Sequence, residues 1–420
     1  MRCLTAWVLL AAASIPARGQ STWTVDDDGG PGVQFTAIQP AVDAAQDGDV
    51  VLVAAGVYAP FVMAGKALSV VGAGVGLTIV GGWSAPPTEV RDLPQGSVAT
   101  LARLTLSRTR LGTPAPASDA HTAVIAVDVT FLGGAVARLA RARFDRCAMI
   151  AQPATPGLAV EAGDVVMSNC VALGGDASSV IGPSGGQAGP GVLHANWLGA
   201  PSGVLEIADC YLEGGEGYAT FGWTLPAGEG LRTAGVARVF GPQSTLVGGA
   251  GDLASFGWGG TWFTPAAPAI HAFGIGSATV HHAALYTPAG PATTGAVVFD
   301  PTWLPTLQAT SPWTPASALT LTAKLGAPGA GGAPYAIAFS FDAARTAAPA
   351  PFVGDLWLAD PFAIAVAGGL DATGAATLVV PAGGAPLSLA WIPIVFQTVA
   401  LDPTTGAWGL GQSTTVVFTL

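Results

Sequence analysis

"FTAIQPAVDAAQDGDVVLVAAGVY", residues 35–58, is the stretch that decides the fold. Thr36 is placed to N-cap a helix, and Gln39 three residues later to complete a capping box. Phe35 and Pro40 stand at the positions of the accompanying hydrophobic staple. Ile38, Val42 and Ala45 fall at i, i+4 and i+7, which predicts a short helix over 36–46 with one apolar face. Asp47-Gly48-Asp49 stops it, and Val50 to Val53 reads as a compact strand followed by a turn at Gly56. A short one-faced helix followed at once by strands suits a lid over the open end of a β structure.

These residues resemble the N-terminal cap and first rung of secreted right-handed parallel β-helix proteins, the pectin-lyase-like superfamily. The resemblance rests on Ile38-Gln39, Ala41-Val42, Ala45, Gly48-Asp49, Val51, Gly56 and Tyr58, and on the preceding "VDDDGGPG" at 25–32. It implies an all-β fold: a parallel β-helix over 20–285 with its capping helix at 36–46. It implies no particular activity.

The middle of the chain points the same way through a loose repeat. "RARFDRCAMI", "DVVMSNCVALGGDA" and "VLEIADCYLEGGEG" align on Cys147, Cys170 and Cys210, and "STLVGGAGD" near Gly248 is a further copy without the cysteine. The first spacing, 23 residues, is about one coil of a β-solenoid. The second, 40, fits one coil plus a Gly/Pro-rich insertion from Ile181 to Gly203. Such coils bury their apolar face only by stacking.

From about Tyr286 the texture changes. Residues 286–317 are rich in Pro and Thr and read as an extended connector. Beyond it, "LTLTAKL", "YAIAFSF", "ATLVVP", "IVFQTVALD" and "TTVVFTL" alternate between turns, which predicts a small β-sandwich over 318–420. This part is similar to a C-terminal β-sandwich module of secreted bacterial proteins, on "LTLTAKLGAPG", "GDLWLADP", "GGLDATGAATLVVP" and "FQTVALDP" with "GLGQSTTVVFTL".

The first 19 residues have the layout of a signal peptide: Arg2, then an apolar run from Leu4 to Ala13, then Ala17-Arg18-Gly19 at a cleavage site. The run is too short to span a bilayer, and no later run approaches that length. The mature chain is therefore expected to begin near Gln20 and to be exported, secreted or at the cell surface. It keeps three cysteines, with no C-x-x-C pair to suggest a zinc ribbon. Charged residues make up only 10% of the chain, lysine occurs only at Lys66 and Lys324, and the formal net charge is −11. Without a basic surface, nucleic acid and anionic lipid are excluded as partners.

Few residues offer chemistry. Asp26, Asp27 and Asp28 fail the spacing of an EF-hand loop: counted from Asp26, position 6 is Pro31 and position 12 is Ala37. They read as a solvated turn, with calcium held by two carboxylates and backbone carbonyls as the alternative. The Gly-Gly strings at Gly174, Gly214 and Gly248 miss the calcium nonapeptide pattern and read as turns, as does "GAGVG" at 72–76. Asp176, Asp209, Glu213 and Glu216, with Arg141, Arg143 and Arg146, are the candidates for a lyase or hydrolase, but no pair has a catalytic spacing. His121, His194, His271, His281 and His282 form no zinc motif. Trp258, Trp262, Trp303 and Trp313 read as hydrophobic wedges rather than sugar platforms. Cys147, Cys170 and Cys210, stacked in register at about 4.8 Å, read as a buried reduced column, with a Cys147–Cys170 disulfide as the alternative.

No catalytic, cofactor-binding or metal residue is assigned. The expected protein is a non-catalytic β-helix, structural or binding an extracellular polysaccharide or cell-surface component. The alternative is a polysaccharide lyase or glycoside hydrolase acting on an acidic polysaccharide.

Overall fold

The computed structural model of the protein describes residues 20–82, 84–112, 123–178, 186–195, 203–220, 223–255, 261–309, 313–314, 316–341, 345–347, 351–358, 362–381 and 393–418. The expected signal peptide, His121 and Trp258 lie outside the described residues. The chain is almost all β and divides into two compact units, Ser21–Asp300 and Pro301–Leu420. The division falls inside the stretch 286–317 expected as a connector, and that stretch supplies strands to both units.

Residues 21–300 are built on one long sheet whose pairings are all parallel. They sort into three ladders that the chain visits in turn. The first runs from Thr22–Val25 through Val50–Val53, Ser69–Gly72 and Val98–Ala102 and ends at Ala296–Phe299. The second runs from Gly56–Tyr58 through Ala148–Ile150, Val171–Leu173 and Tyr211–Glu213 to Ala284–Tyr286. The third runs from Val62–Ala64 through Thr88–Arg91, Val192–His194 and Leu231–Thr233 to Thr293–Thr294. Each circuit of the chain thus adds one strand to each ladder, an arrangement compatible with a parallel β-helix. Val192–His194 takes a regular place in the third ladder, so the stretch from Ile181 to Gly203 is not the single insertion that its composition suggests.

Register explains why these residues form strands. Val51, Val70, Leu101, Ala126, Phe144, Met167, Ile207, Val239 and Val280 occupy one position on successive strands of the first ladder. All are buried, as are most of their equivalents on the other ladders. Alternation puts every second side chain on one face of a strand, and stacking in register merges these positions into one core. Each large apolar side chain removed from water contributes roughly 1.5–3 kcal/mol.

The first ladder passes to the second through a one-residue corner. Arg103, Asp128, Arg146, Asn169, Asp209 and His282 each stand two residues before a strand of the second ladder, with φ between 50° and 57°. Asn, Asp and His tolerate this left-handed conformation better than most residues, whereas it costs an arginine about 1–2 kcal/mol.

The helix is shorter than predicted and is not capped as predicted. It spans Ile38–Ala44, its N-cap is Ala37, and no side chain caps it. The apolar face is as expected, with Ile38, Val42 and Ala45 buried. Gln39 serves instead as a partner for the first strand of the third ladder. Its Oε1 accepts the N–H of Val62 at 2.7 Å, and its Nε2 donates to Val62 O at 3.2 Å and Asp43 Oδ1 at 2.7 Å. Phe35 packs on Trp23, ring centroids 5.8 Å apart. Lys66 Nζ donates to the carbonyls of Val42, Asp43 and Ala45 and so satisfies the helix's C-terminal acceptors.

Residues 301–420 are described separately. Thr306–Ala309, Leu319–Lys324 and Ala375–Val380 form an antiparallel three-stranded sheet. Phe352–Val353, Trp408–Val417, Pro393–Leu401, Pro334–Ser340 and Ala363–Gly369 form a five-stranded one. Buried Gln412 accepts the N–H of Leu307 at 2.9 Å, which ties the long strand Trp408–Val417 to the smaller sheet.

Candidate functional site

The three Gly-Gly strings close strands of the second ladder and begin its insertions. Gly174, Gly214 and Gly248 donate to Glu213 O, Val247 O and Tyr286 O and so continue the second ladder by one residue. The next glycine enters a second column of hydrogen bonds. Gly175 donates to Thr155 O, Gly189 to Gly175 O, Gly215 to Gly189 O, Gly228 to Gly215 O, Gly249 to Gly228 O and Ala267 to Gly249 O, all at 2.7–3.1 Å. The outgoing limbs (175, 215, 249) therefore alternate with the returning limbs (189, 228, 267) in one stack. The reason for glycine is room, because none of the glycines in this column has a positive φ. A Cβ on Gly175 would stand 1.7 Å from Gln152 O, and one on Gly228 2.0 Å from Gly189 O.

Three insertions on successive circuits leave this column, and they lie against one another. The second contains the hairpin Tyr218–Thr220/Trp223–Leu225, and the third the hairpin Leu253–Ser255/Thr261–Phe263, which includes Trp262. Asp176 Oδ1 accepts the N–H of Glu216, and Asp252 Oδ2 accepts that of Ala219, both at 2.9 Å. Each acid thus holds the backbone of a neighbouring insertion, so the array is stacked rather than splayed. The returning limbs went unread in the sequence, although Ala188-Gly189-Pro190-Gly191 and Ala227-Gly228-Glu229-Gly230 repeat visibly.

The cysteines follow the left-handed corner. Pairing of Ala148 with Val171 and of Val171 with Tyr211 puts Cys147, Cys170 and Cys210 at one position on three circuits, with Ser244 next in line. All three are buried and free. The N–H of Cys147 donates to Cys170 Sγ at 3.4 Å, that of Cys170 to Cys210 Sγ at 3.3 Å, and that of Cys210 to Ser244 Oγ at 3.4 Å.

Charged groups gather beside this column. Arg146 Nε donates to Asp128 Oδ1 and Nη1 to Asp145 Oδ1, both at 2.9 Å. Burial lowers the affinity of Arg146 for its proton, but Asp145 and Asp128 outweigh it and hold the guanidinium charged. Arg143 is 3% exposed, its three guanidinium nitrogens have no hydrogen-bond partner, and burial brings it down to about 10 against the pull of Asp145 and Glu206. Of the arginine candidates, the structure brings Arg143 and Arg146 to one place. Asp145, Asp128 and Glu206, which sequence reasoning passed over, stand with them. Asp145 adjoins Arg146 in sequence, but Asp128 stands 18 residues before it, and only the ladder register, Arg143 with Val166 and Val166 with Glu206, brings Glu206 to the group.

The other candidates are dispersed. Asp209 is buried at the corner, Tyr211 Oη donates to Glu213 Oε2 at 3.0 Å, and Glu216 is exposed on an insertion. Asp26, Asp27 and Asp28 hold carboxylate oxygens within 4.8 Å of one another, the one such group among the described residues. Asp27 has a structural duty: its Oδ2 accepts the N–H of Val57 at 3.0 Å on the first strand of the second ladder, and a Cβ on Gly56 would strike it. His194 is buried against Thr233 Oγ1 at 3.1 Å, and burial drives it down to about 4. His271 Nδ1 lies 3.0 Å from Glu229, and His281 3.7 Å from Asp300. His282 occupies the left-handed corner. Trp303 packs partly buried in the C-terminal unit, and Trp313 is buried there against Phe418. Gly72 ends a strand and Gly76 sits in a turn at φ 75°.

No helix among the described residues is long and apolar enough to cross a membrane. The chain matches no protein-family model, no curated protein and no solved structure.

Proposed function

We propose that the protein is an exported, non-catalytic, right-handed parallel β-helix of the pectin-lyase-like kind that binds an extracellular polysaccharide or cell-surface component through its stacked insertions. The helix Ile38–Ala44 closes its N-terminal end, and the three-stranded and five-stranded sheets of residues 301–420 form an accessory β-sandwich. The observation that carries the reading is the glycine column, which presents insertions from adjacent circuits side by side on a fixed base. Loops held on a rigid scaffold are where binding residues concentrate. Export rests on the signal-peptide layout of residues 1–19.

The second reading is a lyase or hydrolase on an acidic polysaccharide, for which the cluster of Arg143, Asp145 and Glu206 is the starting point; the Arg143 guanidinium is wholly buried and would have to be uncovered to meet a polymer. A glycan array run with and without calcium, beside a depolymerisation screen, separates the two. Retention of a glycan without shortening of any polymer, lost when 218–225 is replaced by a short Gly-Ser turn, supports the binding reading. Polymer cleavage that Arg143→Lys abolishes replaces it with the enzymatic one.

A further inference from the structure

We propose that Cys147, Cys170 and Cys210 form a site for a soft monovalent d10 cation such as copper(I), held linearly between two sulfurs of adjacent circuits, with Cys170 as the ligand common to both gaps. Cys147 Sγ donates to Asp145 O and Ala126 O, Cys170 Sγ to Ser168 O and Phe144 O, and Cys210 Sγ to Ala208 O. The same contact two residues upstream recurs each time, so the three side chains share one rotamer and their sulfurs are related by the ladder translation. That translation is about 4.8 Å. On the scale of a zinc–thiolate bond, about 2.3 Å, two metal–sulfur bonds end to end span about 4.6 Å. The backbone thus holds adjacent sulfurs at the separation of a linear two-coordinate bridge.

Direction agrees with distance. Side chains in register lie parallel to one another and across the ladder axis. A disulfide would have to draw the sulfurs together to about 2.05 Å, which requires new rotamers. An ion on the axis between them meets each Cβ–Sγ bond near a right angle and leaves both rotamers in place. Thiolate ligands select soft ions, copper(I) among them, over harder ones.

Charge is also provided for. Binding one monovalent ion to two thiols releases two protons to solvent and leaves one net negative charge in the core. Arg143, buried and without a hydrogen-bond partner, interacts electrostatically with Cys170, and Arg146 with Cys147.

The test uses the full chain with Cys3→Ser, reduced and oxygen-free, titrated with copper(I) against a chromophoric copper(I) chelator. X-ray absorption of the loaded protein reports the ligands. The expected result is chelator-competing binding, two sulfur ligands, and a loss of affinity of at least 100-fold in Cys170→Ser. Cys147→Ser and Cys210→Ser each keep one gap and stay within about tenfold, while the Cys147→Ser/Cys210→Ser pair, left with one thiol, matches Cys170→Ser. Circular dichroism confirms that each variant is folded. Full affinity in folded Cys170→Ser or in the double variant, nitrogen or oxygen ligands in the spectrum, or no binding by the folded reduced chain overturns the proposal.

Discussion

Gln39 and Val62, 23 residues apart, are joined as two strands would be: the Val62 N–H donates to Gln39 Oε1 and Gln39 Nε2 to Val62 O. The carboxamide stands in for the peptide group of a preceding strand that the third ladder lacks. Gln39→Ala removes both bonds and is expected to cost about 1–3 kcal/mol. Gln39→Glu keeps the acceptor but turns a carboxylate toward Asp43 and Val62 O, so it should cost no less. Urea midpoints at constant m-value measure both.

The same pair shows what the sequence could and could not say. The apolar period of Ile38, Val42 and Ala45 is local, so the helix and its buried face were legible. The purpose of Gln39 was not, because a capping box and a strand mimic use the same residue and only the distant Val62 tells them apart. Asp27 is exposed, as a solvated turn requires, but its bond to Val57 was not legible, because that partner lies 30 residues on. The cysteine column was legible because one circuit shows directly as a spacing. The charged group of Asp128, Asp145, Arg146 and Glu206 was not, because it forms across circuits of unequal length. Loop length likewise concealed the returning limbs of the glycine column.

Gly175→Ala should abolish folding of the middle circuits rather than weaken it. Its Cβ has no flexible side chain to displace, only the backbone of Gln152 and Pro153. Gly29→Ala, where nothing stands within 4 Å, is the control and should cost only the roughly 1–2 kcal/mol of its left-handed backbone. Soluble yield and the cooperativity of thermal unfolding distinguish the two outcomes.

Arg146→Met keeps the length of the side chain but takes the guanidinium from Asp145, whose side chain is wholly buried. Removing one partner of a buried pair is far costlier than the pair is worth, and a loss of about 3 kcal/mol is expected. Reversing the defect with Asp145→Asn in the same chain should recover part of it. A double-mutant cycle read by denaturation provides the measurement.

His194 makes stability depend on pH. Burial lowers it to about 4 in the folded chain, against roughly 6.5 when unfolded. Between those values the unfolded chain binds more protons, so stability is complete above about pH 6.5 and falls as pH drops toward 4. The loss has a ceiling of about 3 kcal/mol. Gly235 leaves the ring its space, a Cβ there lying 2.5 Å from His194 Cε1. Melting curves at pH 7 and pH 4.5 should differ more for the wild type than for His194→Gln, and equal differences would refute the assignment.

The alternating glycine column has a consequence for how this scaffold can change. Because Gly175 and Gly189 hydrogen-bond to each other directly, the ends of the loop between them are fixed one strand apart whatever its length. The same holds for Gly215 with Gly228 and for Gly249 with Ala267. Each insertion is therefore a socketed part. Its sequence can be exchanged, lengthened or trimmed while the small residues at the socket stay, and with them Asp176 and Asp252, which hold the neighbouring insertion.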